Sequence, residues 1–218
     1  LNIRLVDTPA DQEKRLLSDK KTAAEEFARL NRIDKIGLPK CNSKIGLVAA
    51  GKNWLDLIHA LSLLGIDETE ANALGLTSYK IVQTWPIDRQ SLLEWADQLD
   101  LIIVIEEKRK IVETQIKDAL FSTASKTRVY GGHKNNENLF FDHGVLDPLD
   151  IASVLGQIFI EEGCSNNTLE LGLKKIIKVQ SADNAPDLAE RLPYFCAGCP
   201  HNSSTIVPEG SRAYAGIG

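Results

Sequence analysis

From residue 44 onward, short unbroken apolar runs alternate with segments whose apolar positions recur every three or four residues. Ile45 to Ala50 is such a run and predicts a buried strand. Gly51-Lys52-Asn53 turns it into a helix with Trp54, Leu57, Ile58, Leu61 and Leu64 on one stripe, closed by Gly65. Tyr79 to Val82 predicts a second strand, after which Asp88 is set to cap a helix carrying Leu92, Leu93, Ala96 and Leu99. The aliphatic run Leu101 to Ile105 predicts the most central strand, because only a strand buried on both faces dispenses with polar alternation. A helix with Val112, Ile116, Ala119 and Leu120 follows, then a strand over Thr127 to Tyr130 that ends at Gly131-Gly132. Asp147-Pro148 opens a last helix with Ile151, Leu155, Ile158 and Phe159 inward.

Strands alternating with helices predict an α/β fold over residues 44–160, a three-layer parallel sheet with helices on both faces. Residues 1–43 are read as an N-terminal helical segment. Its first eight residues look extended, Thr8 caps a helix at Pro9, and a thin stripe of Leu16, Ala23, Phe27 and Leu30 runs to about Leu30. So thin a stripe suits packing against a neighbouring domain better than forming a core. Residues 161–193 read as a linker with one amphipathic patch near Leu171 to Val179, and 194–218 as an irregular tail rich in Gly, Pro and Ser.

Composition narrows the class. With 218 residues, 43% hydrophobic and 25% charged, the chain holds one sizeable core of an ordinary soluble protein. A net charge of −5 with no basic block argues against a nucleic-acid surface. The absence of any long apolar run argues against a membrane span. Four unevenly spaced cysteines make no disulfide framework, which points to a reducing cytoplasm. There is no Met, and the chain opens on Leu1-Asn2-Ile3, so a piece of a longer protein is expected.

Several residue groups could carry chemistry. Ala49-Ala50-Gly51-Lys52-Asn53 has one glycine where a dinucleotide turn needs three, and it reads as a tight connection. Glu106 and Glu107 end the central strand, but adjacent strand residues point to opposite faces, so a charge cluster at a helix start is the plainer reading. His59 reads as a packing residue, and His133 and His143 have no Cys or carboxylate at metal spacing. Cys196 and Cys199 differ: two thiols separated by Ala197-Gly198 can face one centre, and Gly198 lets the backbone bend closely. Spacing alone leaves three readings open: half of a zinc or iron–sulfur site, a reversible redox pair, or two thiols without a role. His201, two residues on, could contact such a centre, a cofactor or substrate, or cap the turn.

The run Phe195-Cys196-Ala197-Gly198-Cys199-Pro200-His201-Asn202, followed by Val207-Pro208-Glu209-Gly210-Ser211-Arg212-Ala213 and Ala215-Gly216-Ile217-Gly218, resembles one family. It is similar to the entry into the thiamine-diphosphate domain of the indolepyruvate:ferredoxin oxidoreductases, of the long fused-chain type, within the 2-oxoacid:ferredoxin oxidoreductases. Weaker echoes lie at Thr84-Trp85-Pro86 and Val104 to Arg109. The resemblance implies a transketolase C-terminal-like domain over 44–160 and the start of a thiamine-diphosphate and iron–sulfur domain over 194–218. For the full-length enzyme it implies thiamine diphosphate with Mg, a [4Fe–4S] cluster, and oxidative decarboxylation of an arylpyruvate to an acyl-CoA. Ferredoxin, coenzyme A, the 2-oxoacid and the remaining domains would be its partners, in a homo-oligomer. Cys196 and Cys199 map onto cluster ligands, with His201 beside them. The Mg-diphosphate motif is not present, so the chain alone is expected to be inactive, to hold no cofactor and to act as a structural, interface-forming piece. The rival reading is a free-standing redox or binding module that uses the Cys196/Cys199 pair.

Overall fold

The runs Ile45–Ala50 and Leu101–Ile105 lie side by side in parallel register, Ile45 opposite Leu101 and Ala49 opposite Ile105. Around this pair the chain builds an α/β unit. The computed structural model describes residues 4–135, 137–183 and 195–213. Helix α1 (Pro9–Arg15) passes through one π-helical turn into α2 (Lys21–Leu30). Then come β1 (Lys35–Ile36), β2 (Ile45–Ala50), α3 (Gly51–Leu63), α4 (Glu68–Ala73), β3 (Leu76–Ile81), α5 (Arg89–Ala96) and β4 (Leu101–Ile105). They are followed by α6 (Ile111–Ser122), β5 (Arg128–Tyr130), the small hairpin β6 (His133–Lys134) and β7 (Glu137–Asn138), α7 (Pro148–Glu161) and α8 (Asn167–Asp183).

The main sheet has five strands in the order β1-β3-β2-β4-β5. All neighbours are parallel except β1, which runs antiparallel along the β3 edge with Lys35 opposite Lys80. The expected α/β fold with helices on both faces is therefore present. The expectation of Leu101–Ile105 as the most central strand is corrected: β4 is interior, but the middle of the five is β2. Both runs are wholly apolar because both strands are covered above and below, so continuity of the pattern cannot rank them.

Alternation sorts the strands onto two cores. Leu47, Ala49, Leu101, Ile103 and Ile105 pack with Leu57, Leu61, Ile151, Leu155 and Phe159 of α3 and α7. Val48, Tyr79, Ile81, Ile102 and Val104 pack with Leu92, Trp95, Val112 and Ile116 of α5 and α6. Truncating one such fully buried aliphatic side chain to Ala costs about 2–5 kcal/mol. The expected caps are in place. Thr8 and Asp11 form a reciprocal capping box on α1, Asp88 accepts from Ser91 N–H at 3.1 Å, and Asp147 accepts from Leu149 N–H at 2.7 Å.

Two segments differ from the pattern-based expectation. The stripe Leu16, Phe27 and Leu30 is 41%, 59% and 70% exposed, so it faces away from the sheet. Ala28, 1% exposed, meets the body instead, and Gln83 Nε2 donates to Ala24 O at 3.2 Å. Small residues let α2 approach closely, and that leaves the bulky ones outside. In the segment read as a linker, α8 is a 17-residue helix whose Leu169, Leu173 and Ile176 enter the first core. The patch read from sequence points outward at Leu171, Ile177 and Val179. The inward stripe is offset from it, and Asn, Gly and Asp interrupt the flanks, which hid the period. Residues 183–218 form a second compact unit, in which α9 (His201–Ser204) is a single short turn.

Docking of α8 rests on Gly172, where a Cβ would stand 2.4 Å from Leu64 O, a backbone atom that cannot swing aside. Gly172→Ala is expected to lower the unfolding free energy by about 1–3 kcal/mol, read by denaturant titration. Asp147→Ala is expected to cost about 1 kcal/mol through loss of the α7 cap, and an unmoved midpoint would remove that cap from the account.

Candidate functional site

Two places gather residues that the sequence singled out. The first is the turn at Cys196. Cys199 N–H donates to Cys196 O at 3.0 Å, which closes a tight turn, and Asn202 Nδ2 donates to Cys196 O at 3.1 Å. Cys196 is exposed and Cys199 partly so, and neither is in a disulfide. His201 Nδ1 stands 3.1 Å from Cys199 Sγ, and its ring stacks at a tilt on Phe195 with centroids 5.2 Å apart. The structure thus sets His201 beside the Cys199 thiol, with Cys196 joined to the same turn through its carbonyl. Cys41 and Cys164 lie in the other unit, where burial pushes the Cys164 thiol up. Residues 215–218, quoted in the resemblance, lie outside the described residues.

Two thiolates on one turn suit two positions of a four-thiolate cluster, and soft sulfur donors are the chemistry such a centre requires. Among the described residues no group of three or more His, Cys, Asp or Glu is set to hold a metal ion.

The second place is the carboxyl edge of the sheet. From β2 the chain enters α3 on one face, and from β4 it enters α6 on the other. Between the two strand ends the helices diverge and leave a crevice of about 370 Å³. Its floor is Ala49, Ala50, Val104 and Ile105, and its rim includes Thr84, Lys108 and Arg109. Glu106 and Glu107 part here as strand neighbours must. The Glu106 carboxylate accepts the N–H groups of Ile111, Val112 and Glu113 at 2.8–3.1 Å, so it caps α6 from the preceding strand. Its burial outweighs those donors and pushes its pKa up. Glu107 turns away, 3.7 Å from Lys52 Nζ and 3.3 Å from Leu146 N–H. The helix-start reading of Glu106 holds, and it is not a pair of acid–base carboxylates.

Sequence reasoning missed Glu113, one turn into α6. It is 3% exposed and holds Gly132 N–H at 3.0 Å and Lys117 Nζ at 2.5 Å. Burial alone would raise its pKa, but those two hydrogen bonds with the charges of Lys117 and Lys110 overcome it and hold the carboxyl below its ordinary value. A lone Glu among helix positions carries no sign of this, although Gly131-Gly132 marks where the chain must come close. A second hollow, about 490 Å³, lies beside β1 with Asp34, Tyr79, Asp88 and Trp95 in its wall. Its acids hold backbone N–H groups: Asp34 accepts from Val82 and Gln83, and Asp88 caps α5. His59 is exposed, and His143 stands 3.2 Å from Asp142 with its ring tilted against Phe141, centroids 5.6 Å apart. None of the described helices is long and apolar enough to cross a membrane.

Residues 35–183 match the family model of the indolepyruvate oxidoreductase domain, and the chain belongs to that family. It is 24% identical over 205 residues to the indolepyruvate oxidoreductase subunit IorA of Methanothermobacter marburgensis, covering 94% of this chain and 29% of that protein. The same subunit from Pyrococcus abyssi is 24% identical over 205 residues, covering 92% and 28%. The chain thus spans less than a third of the length of these relatives. Among solved structures, a 2-oxoglutarate:ferredoxin oxidoreductase from Magnetococcus marinus, with 2-oxoglutarate, coenzyme A and succinyl-CoA bound, aligns with TM-score 0.45 and 15% identity over 70% of this chain and 24% of that one. A split-gene transketolase, an inactive beta4 tetramer, aligns with TM-score 0.39 and 16% identity over 58% and 41%.

The depressed Glu113 pKa sets a pH dependence. A carboxyl held below its unfolded value, ordinarily 4.5, stabilises the fold above that pH and loses the contribution as pH falls through its folded value. Glu113→Gln is therefore expected to be less stable than the parent by about 1–3 kcal/mol at pH 7, a deficit that shrinks as pH drops below the carboxylate range. Denaturation midpoints at several pH values read this, and a pH-independent deficit would assign the loss to packing.

Proposed function

We propose that this chain is the transketolase C-terminal-like scaffold and the start of the thiamine-diphosphate and iron–sulfur domain of an oxidoreductase that oxidatively decarboxylates an arylpyruvate to an acyl-CoA. The observation that carries the reading is the Cys196 turn, two free thiols and a histidine on one stretch, following a domain of the indolepyruvate oxidoreductase family. In this reading the sheet is structural. Its core leaves Glu106 and Glu113 engaged with backbone N–H groups, where they anchor α6 and the turn after β5.

Cys196 and Cys199 would supply two ligands of a [4Fe–4S] cluster, and other parts of the enzyme the rest. When bound, thiamine diphosphate with Mg would supply an electron sink for decarboxylation, and a cluster held in part by Cys196 and Cys199 would supply one-electron chemistry toward ferredoxin. The chain's own residues do three things toward that chemistry. The Cys199 N–H bond to Cys196 O closes the turn that carries both cysteines. Asn202 ties the following residues back to the same carbonyl. His201 sits within hydrogen-bond distance of the Cys199 sulfur, where a ring N–H directed at a thiolate would offset part of its charge.

The test uses the full-length enzyme. Replacing Cys196 and Cys199 together by Ser is expected to lower bound iron and to stop ferredoxin reduction, while release of carbon dioxide from the 2-oxoacid continues. Full iron content and full ferredoxin reduction in that variant would return the pair to zinc, disulfide or plain structure. The 218-residue chain by itself is expected to purify colourless and, lacking both the Mg-diphosphate motif and a three-glycine turn, to bind neither thiamine diphosphate nor a nicotinamide dinucleotide at micromolar concentration.

A further inference from the structure

The hollow beside β1 takes no part in the cluster reading. It holds about 490 Å³, within the range of sites for small organic ligands. β3 and α5 wall it on one side, and β1 with the turn after α2 on the other. Several strong polar groups in this wall have no partner within the chain.

The first is Tyr79. It is 4% exposed, and its hydroxyl has no hydrogen-bond partner among the described residues. The oxygen is not sealed in, so it opens onto the hollow. Burial first, and then the charges of Asp34, Asp88 and Glu94, push its pKa up, so the hydroxyl feels all three acids of the hollow. A buried hydroxyl of this kind calls for a partner from outside the chain. The two aspartates are half used. Asp34 Oδ1 takes both the Val82 and the Gln83 N–H groups, and Asp88 Oδ1 takes Ser91 N–H. No donor reaches Oδ2 of either among the described residues, although Asp88 is only 4% exposed. Arg29 of α2 acts on Asp88 and Glu94 through its charge alone, since its hydrogen bond goes to Glu26 at 2.5 Å.

The cations of the wall are equally uncommitted to these acids. Lys40 Nζ donates to Asp97 O, and exposed Arg32 and Lys35 hold no carboxylate among the described residues. Three acids and three cations therefore line one hollow with no ion pair between them. Such a lining has no net charge and favours neither a free amine nor a free anion; a molecule carrying both charges satisfies both sets. The remaining wall is apolar. Trp95 spends its Nε1–H on Thr77 Oγ1 at 3.2 Å and offers only its ring, and Ile36 is 55% exposed.

We propose that this hollow binds a free α-amino acid with an apolar side chain. The ammonium has three N–H donors, and three acceptors await it: Tyr79 Oη and Oδ2 of Asp34 and of Asp88. The carboxylate meets Arg32 and Lys35, and the side chain lies on Trp95 and Ile36.

The experiment is a ¹H–¹⁵N titration of the 218-residue chain with L-phenylalanine. It follows the amides of Lys35, Val82, Gln83 and Ser91 and the Trp95 indole N–H. These are expected to shift saturably with Kd about 1 mM or tighter. Phenethylamine lacks the carboxylate, 3-phenylpropionate lacks the ammonium, and glycine lacks the body. Each is expected to bind at least about tenfold more weakly. Tyr79→Phe removes an oxygen that no other group in the fold uses. It is expected to weaken L-phenylalanine about threefold or more without lowering the denaturation midpoint. Arg32→Gln, at an exposed residue, is expected to weaken it by a similar factor, and decides alone if Tyr79→Phe does not fold. The absence of a saturable shift at these positions overturns the proposal. So does binding of phenethylamine, 3-phenylpropionate or glycine as tight as that of L-phenylalanine, or undiminished affinity in either folded variant. Failure here leaves the cluster reading untouched, since that rests on iron content in the full-length enzyme.

Discussion

Coverage of β2 and β4 on both faces is the constraint on which the rest of this structure depends. Each strand offers aliphatic side chains alternately up and down, and neither can leave a face to water without exposing several fully buried groups. One face is closed by α5 and α6, each following its strand directly. The other needs more than α3. It also takes α7, which meets α3 along its length, and then α8, which adds Leu169, Leu173 and Ile176. The chain between Glu161 and Asp183 is therefore held to the sheet by the need to finish a core. The approach of Gly172 to the Leu64 carbonyl shows how closely it must come.

The same arrangement decides where chemistry can sit. Helices leaving β2 and β4 toward opposite faces create the gap at the carboxyl edge, and the chain puts a carboxylate, Glu106, at one of the two helix starts there. The cysteine turn lies in the other unit and owes its shape to local bonds, those of Cys199 N–H and Asn202 to Cys196 O. The hollow beside β1 forms where β1 closes the β3 edge of the sheet, so it follows from the topology, whereas the cysteine turn follows from a few residues of sequence. This is why the two proposals stand or fall separately.

Much of the scaffold was legible because burial on both faces writes itself as unbroken aliphatic runs. Ile45–Ala50 and Leu101–Ile105 coincide with their strands to the residue. Caps were legible for a similar reason: Thr8, Asp88 and Asp147 act within three residues of their own positions. What escaped was whatever depends on distant partners. Gly46 reads as a stray glycine in a strand, yet a Cβ there would stand 2.5 Å from the Trp95 ring, which lies across it. The burial of Ala28 in place of Phe27 depends on how near α2 can come to the body. β1 is two residues long and carries no period at all. At the cysteine turn the motif and its neighbours were readable, whereas the proximity of His201 to Cys199 Sγ is a matter of backbone turn geometry.

The central claim is that α8 belongs to the same cooperative unit as β2 and β4, so that the family domain is one scaffold ending near Asp183. Native-state hydrogen exchange on the 218-residue chain tests it directly, because amides of one cooperative unit share one opening free energy. The account predicts that the most protected amides of α8, around Leu173 and Ile176, exchange with the same opening free energy and denaturant dependence as those of Val48 and Ile103. Exchange of α8 at a much lower free energy, with β2 and β4 still fully protected, would contradict it and return the segment after Glu161 to a linker.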